Sequence, residues 1–418
     1  MAVVAFAPLA LAQVSYVARF RLEKKSFLHG EPVFCVFAIE NTGSRTFAFS
    51  YRTPSRMLNT ELEAEPRFTI TGENGRRIAD PAPRPCGGAK GTAVYGSVTL
   101  PPGQTHTERW LLDQWARFPG PDRYHVRAER RLPLLAVNPQ TQEFIEPPVA
   151  YALAINELSL EIVPSTRKQL ESSFQPYLQE LADPEAKDLA EAVMVVTSLP
   201  QPFCLKQLIA LATAPAQERR WDRQQALEGL ARLGTLAAWE AISKVAQGED
   251  PGSPPASREP PSPRDKALRS YAILLLGQQG DRTFLPVLLG IASATPDLEL
   301  RGDVLRALGF FDDPRANEML FDQLRSSQTS DRVNAILGLK NLESKDTIPA
   351  LLAMLQDPES QVRQVAHFAL QSLTGRKIVL PPDASRADSA RAAEEWHAWW
   401  RNQGAGFVPR PHPPCRDW

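Results

Sequence analysis

Four leucines, Leu276, Leu308, Leu339 and Leu370, recur at intervals of 32, 31 and 31 residues, and an arginine keeps register with each: Arg269, Arg301, Arg332 and Arg363. Each pair lies in a segment (266–276, 298–308, 329–339, 360–370) whose apolar residues fall at i, i+3, i+4 and i+7, the stripe of an amphipathic helix. A second helical run follows a short turn in the first three: 284–292, 316–324 and 348–355. A two-helix unit of this length cannot bury its own stripe and has to stack on a neighbour. The period therefore predicts an α-solenoid over about residues 165–375. Two weaker copies, 190–212 and 223–245, precede the four. The interval from Leu233 to Leu276 is lengthened by a Pro/Ser-rich insertion, 248–263 (GEDPGSPPASREPPSP from Gly248), whose composition does not suit a packed helix.

These repeats resemble the HEAT-repeat family, including the short HEAT-like form also found in phycobilin lyases. The residues that carry the resemblance are Asp357-Pro358-Glu359-Ser360-Gln361-Val362-Arg363, with Ala366 and Leu370, and the preceding Asp346-Thr347-Ile348-Pro349-Ala350-Leu351-Leu352. The resemblance implies a right-handed armadillo-type stack that works by surface complementarity, with polar side chains along a concave face. Arg332, Arg363, Gln364, His367 and Gln371 are the candidate contacts for a docked peptide or protein. The arginine ladder has a structural reading as well, and the stronger one: bonds to carbonyls or carboxylates of the adjacent repeat, which hold a solenoid together. Asp281, Asp313 and Asp346 are the candidate acceptors.

Residues 14–163 read as strands. Val33, Cys35, Phe37 and Ile39 alternate with Phe34, Val36 and Ala38, a run suited to a strand buried on both faces. Further strands are expected at 46–51, 67–71, 94–100, 106–112, 124–129 and 150–163, separated by Gly/Pro/Asn turns. That spacing argues for an antiparallel β-sandwich. The turns Gly30-Glu31-Pro32, Asn41-Thr42-Gly43, Leu100-Pro101-Pro102-Gly103 and Phe118-Pro119-Gly120-Pro121-Asp122-Arg123-Tyr124 resemble those of secreted Ig-like modules. The resemblance places Tyr124 at a sandwich corner. The expected class is thus multidomain, a β-sandwich followed by an all-α solenoid.

At the N-terminus, residues 1–12 (MAVVAFAPLALA) read as the apolar region and small-residue cleavage site of a secretory signal, without its usual positive flank. A strand-forming or unstructured start is the alternative. Export would make a Cys35–Cys86 disulfide feasible; Cys204 reads as a buried thiol. Near the C-terminus, 385–403 reads as one more helix, with Trp396, Trp399 and Trp400 at i, i+3, i+4. It would cap the last repeat, or else offer an aromatic platform to a sugar or peptide. A disordered tail, 404–418, follows.

The 418 residues carry a net charge of −1 and no basic patch with interleaved aromatics, which argues against nucleic acid. No apolar run approaches the length of a membrane span. The six histidines form no HExxH, and neither GxSxG nor a phosphate-binding GxxxxGK[ST] occurs. No His-Glu dipeptide is present, so the iron chemistry of HEAT-like hydroxylases does not transfer. No cofactor or metal is implied. The reading is a non-catalytic, extracytoplasmic interaction or scaffold protein. The alternatives are a lyase-like enzyme or accessory with its site where sandwich and solenoid meet, and a carbohydrate-binding envelope module.

Overall fold

The computed structural model of the chain describes residues 14–52, 65–79, 95–138, 140–183, 186, 189–214, 220–249, 263–381 and 384–409. The signal-like run 1–12, Cys86, almost all of the insertion and residues 410–418 lie outside them. The chain divides into two compact units, Met1–Leu199 and Pro200–Asp417.

The first unit is built from β1 (Tyr16–Leu22), β2 (Ser26–Leu28), β3 (Phe34–Asn41), β4 (Phe47–Arg52), β5 (Arg67–Gly72), β6 (Tyr95–Leu100), β7 (Thr105–Leu111), β8 (Asp122–Val137) and β9 (Phe144–Val163). One sheet has the order β1-β3-β7. The other runs β2-β9-β8-β4-β6, with β5 paired to β8. All pairings are antiparallel except β2 with β9, which is parallel. Both sheets feed one core: Phe20, Cys35, Phe37, Ile39 and Trp110 from the first, Phe47, Phe49, Phe68, Val126, Leu132 and Leu160 from the second.

Strand β3 is apolar on both sides because both sides are covered. Cys35, Phe37 and Ile39 enter the shared core. On the opposite face the Arg109 guanidinium lies 4.1 Å from the Phe34 ring centroid. Arg109 also ion-pairs with Glu23 at 2.7 Å and with Glu191, which belongs to the second of two helices that follow the strands, α1 (Arg167–Ala182) and α2 (Ala190–Ser198). Gln114 donates to Ser198 at 3.2 Å. These polar ties join α2 to the strands; α1 and α2 fall in the first unit, although their periodicity groups them with the later helices. A capping box of Thr166 and Gln169 starts α1.

Arg130, Glu108 and Asp113 are buried inside this unit. Arg130 donates to Glu108 at 2.7 Å, both side chains almost wholly buried, and its guanidinium lies 4.5 Å from the Phe37 ring centroid. Asp113 accepts the Val33 amide at 2.9 Å, fastening the chain after β7 to the start of β3. Burial pushes its carboxyl up to about 7. At one sandwich corner the Tyr124 hydroxyl donates to the Gly120 carbonyl at 2.8 Å. Asn41 is fully buried, its amide donating to the Arg45 and Leu100 carbonyls at 2.8 Å each, so one side chain joins two turns.

The second unit contains α3 (Leu205–Ala212), α4 (Arg220–Leu233), α5 (Leu236–Gln247), α6 (Pro263–Gln279), α7 (Leu285–Ala294), α8 (Leu298–Leu308), α9 (Pro314–Gln323), α10 (Thr329–Asn341), α11 (Ile348–Met354), α12 (Ser360–Thr374) and α13 (Arg386–Gln403). Helices α4, α6, α8, α10 and α12 lie side by side in one layer; α3, α5, α7, α9 and α11 each pack on the following member of it. The four recurring leucines are all in the first layer and none is exposed to solvent. Each burial is worth about 1.5–3 kcal/mol. Backbones within the layer come very close: a Cβ on Gly338 of α10 would fall 2.4 Å from the Leu305 carbonyl oxygen of α8.

Two consequences are measurable in denaturant unfolding of the full chain. Glu108→Ala removes the carboxylate paired with the buried Arg130 cation and is expected to cost about 3–5 kcal/mol. Asp113 has its folded-state pKa raised above the unfolded value of 3.8, so its contribution is fully present below that value and is lost as pH rises through about 7. Asp113→Asn keeps an acceptor for the Val33 amide. It should remove that part of the pH dependence and be more stable than the parent at pH 8, by on the order of 2–4 kcal/mol.

Candidate functional site

The arginine register resolves into a repeated seam. Arg223 of α4 donates to the Ala212 carbonyl at the end of α3 and to the Asp265 carboxylate of α6 at 2.7 Å. Arg269 of α6 reaches back to the Ala246 and Gln247 carbonyls at the end of α5, each at 3.3 Å. Arg301 of α8 pairs forward with Asp331 of α10 at 3.1 Å. Arg332 does both: its guanidinium donates to the Ser326 carbonyl at 2.9 Å and grips both oxygens of Asp357, at 2.8 and 2.9 Å. Arg363 donates to the Asp357 and Pro358 carbonyls at 2.8 Å.

Two physical forces meet in this arrangement. The C-terminal carbonyls of a helix lack intrahelical partners and carry the negative end of its dipole, so a cation is favoured there. A planar guanidinium has further donors to offer a carboxylate from the next repeat. Asp357 itself is 8 % exposed and serves three neighbours: its carboxylate takes Arg332 and the Glu359 amide, and its carbonyl takes Arg363.

The sequence pointed to Asp281, Asp313 and Asp346 as acceptors, and the structure corrects this. Asp281 caps the 3₁₀ turn Arg282–Phe284, and Asp313 caps α9 and pairs with Arg315 at 3.0 Å. Asp346 sits inside the 3₁₀ turn Lys345–Thr347. The acceptors are Asp265, Asp331 and Asp357, which begin or immediately precede the next helix of the arginine layer rather than the helix between.

The five candidate contact residues do not form an open row. Arg332 and Arg363 are buried in the seam. His367 is 5 % exposed, not on a solvent face as a lone polar residue would be. Its Nε2 lies 2.8 Å from the Ile378 carbonyl oxygen, to which Gln371 also donates, and its Nδ1 lies 3.0 Å from the Trp396 indole nitrogen. Gln364 is partly buried on the same helix. Trp396 is fully buried and Trp399 nearly so, with ring centroids 5.7 Å apart at 82°, which leaves neither as a flat platform for a sugar. The tail does not part from the fold at once: the Phe407 ring packs against Trp399 at 5.2 Å. Cys35 is a buried thiol whose pKa burial pushes up to about 12; its suggested partner, Cys86, is outside the described residues. Cys204 is buried as expected.

What the layer leaves open is a groove of about 470 Å³ across α6, α8 and α10. Lys266 and Ser270 of α6, Leu298, Glu299 and Arg306 of α8 and Asn334 of α10 are among the residues that line it. Lys266 pairs with Asp297 at 2.9 Å and with Glu299, and these partners raise its pKa. Arg306 donates to Asn334 at 2.7 Å and pairs with Asp303. The groove thus presents both signs of charge, an amide, hydroxyls and two apolar side chains, Ala267 and Leu298. No group of three His, Cys, Asp or Glu among the described residues could hold a metal ion. Periodicity located these helices, but nothing in it distinguished the groove wall from the seam.

With this geometry in view, comparison with known families is decisive for part of the chain. The family model for HEAT repeats matches residues 262–334, and that for the PBS lyase HEAT-like repeat matches residues 331–357. Residues 262–357 carry HEAT repeats. No curated protein sequence matches the chain. The matched span contains the groove and the Arg301 and Arg332 rungs of the seam.

Breaking the seam should weaken the stack without touching the groove. Asp357→Ala leaves Arg332 buried without its carboxylate and is expected to cost about 3 kcal/mol in denaturant unfolding. Lys266→Ala, whose partners are exposed, should leave the midpoint unchanged.

Proposed function

We propose that the chain is a protein-interaction scaffold that takes an extended segment of a partner protein into the groove across α6, α8 and α10. The HEAT repeats support an interaction or scaffold role in general, since repeat stacks present long continuous surfaces. The observation that carries the finer reading is a division of labour within one layer. The arginine side chains satisfy the stack internally, while Lys266, Ser270, Glu299, Arg306 and Asn334 line a concavity beside them. Mixed charge with amide and hydroxyl groups suits a polypeptide, whose backbone both donates and accepts hydrogen bonds.

The β-rich unit is read as an Ig-like module on the strength of its two facing sheets and the Tyr124–Gly120 corner bond. Extracytoplasmic placement rests on the apolar run 1–12 and is checked by fractionation of the native protein.

The groove reading is tested by placing a photo-crosslinking amino acid at Ala267, an exposed groove residue, in the full chain. A partner captured there should be lost, by tenfold or more in crosslinked yield, when Leu298→Lys and Ser270→Glu are combined. The unfolding midpoint should move by less than about 0.5 kcal/mol. Undiminished capture by the double variant would remove the groove from consideration.

A further inference from the structure

The end of the helical run is held by one histidine whose two ring nitrogens have opposite duties. An indole N–H can only donate and a backbone carbonyl can only accept. The Trp396 indole 3.0 Å from Nδ1 therefore requires Nδ1 to be unprotonated, and the Ile378 carbonyl 2.8 Å from Nε2 requires Nε2 to carry the proton. The neutral Nε2–H tautomer fits both neighbours, and the imidazolium, a donor at both nitrogens, cannot fit the first.

The three elements that meet here are otherwise separate. His367 lies on α12, Ile378 on the extended stretch 375–381, and Trp396 on α13. Ile378 is 7 % exposed and Trp396 is fully buried. The ring centroids lie 5.9 Å apart with their planes at 76°, so the contact is apolar as well as polar. Beyond this junction α13 packs mainly on α11.

We propose that His367 is an acid-sensitive latch: protonation of Nδ1 sets two donors against each other at Trp396 and releases α13 from the last repeat. The charged groups on the packed elements do not favour the extra proton. Arg363 lies one turn before His367 on α12. Arg376 and Lys377 lie on the connecting stretch, the former 5.6 Å from the Trp399 ring. On α13, Arg391, Glu394 and Glu395 are exposed and His397 is partly so. Burial, opposed by the Ile378 carbonyl, holds the imidazole pKa below its ordinary 6.5. A lowered folded-state pKa means that the latch contributes its stability above pH 6.5 and loses it as pH falls through the folded value.

Hydrogen–deuterium exchange of the full chain at pH 7.5 and pH 5, corrected for intrinsic rates, reads the latch directly. In the parent, amides of 386–403 should lose at least tenfold protection at pH 5, while those of 298–308 keep theirs. His367→Gln offers an amide oxygen to Trp396 and an amide N–H to Ile378 at any pH, and should keep α13 protected at both. Unchanged protection of α13 in the parent at pH 5, or equal loss in the glutamine variant, would overturn the proposal. Should that variant not fold, the parent alone decides by NMR. The Trp396 indole proton must shift or broaden in step with titration of the His367 ring; an indole signal indifferent to that titration also overturns it.

Discussion

The helical run depends on a guanidinium shared between successive repeats. Apolar stripes bring the helices together, but a stripe is forgiving about rotation and offset. The arginine is not, because its planar donors must find carbonyls at the end of one helix and, on most rungs, a carboxylate at the start of another. Arg223, Arg332 and Asp357 show the arrangement most completely. Once it is made, the close backbone approach at Gly338 and the burial of the four leucines follow from the same register. Carbonyls at or just beyond the ends of α3, α5, α9 and α11 are thereby satisfied inside the stack.

The β-rich unit uses buried charge differently. Arg130 and Glu108 join the two sheets across their shared core, while Asp113 accepts the Val33 backbone amide. The first is a pair whose members need each other; the second is a carboxyl that the fold tolerates best when neutral. Arg109 works on the outer face, where it ties β7 to both the β1–β2 connection and α2.

Much of the fold was legible because helical and strand periods differ. Helices α6 to α12 lie where the leucine interval puts them, and β3 to β7 lie where the turn residues put them. What escaped reading has definite causes. Strand β2 is only three residues long, and the Glu23-Lys24-Lys25 link between it and β1 contains no Gly, Pro or Asn. Strands β8 and β9 extend to Val137 and Phe144, beyond the expected 124–129 and 150–163, because a long hairpin carries half-exposed residues that blur the alternation. Helices α1 and α2 belong to the first unit, where Arg109 of β7 pairs with Glu191 of α2, a tertiary contact invisible to periodicity. The site was less legible still. A polar residue in a helix reads the same whether it meets solvent or a backbone carbonyl, so His367 and Arg363 looked available when they were engaged. The acceptors were misplaced because an aspartate at any helix start satisfies the same rule, and only stacking decides which one an arginine can reach.

Arg269, like Arg363, engages main-chain carbonyls, in its case those of Ala246 and Gln247. The chain leaves α5 there through Gly248, which holds φ at 77° and leaves room for the guanidinium, since a Cβ on it would stand 3.0 Å from Arg269. It returns at Pro263 to begin α6. The rung thus ties the end of α5 to α6 on the far side of the intervening stretch. Because closure entropy grows only with the logarithm of loop length, about 0.6 kcal/mol per doubling, such a clasp makes this junction a port in the array. Evolution or an engineer can exchange what passes through it while the repeats on either side keep their phase.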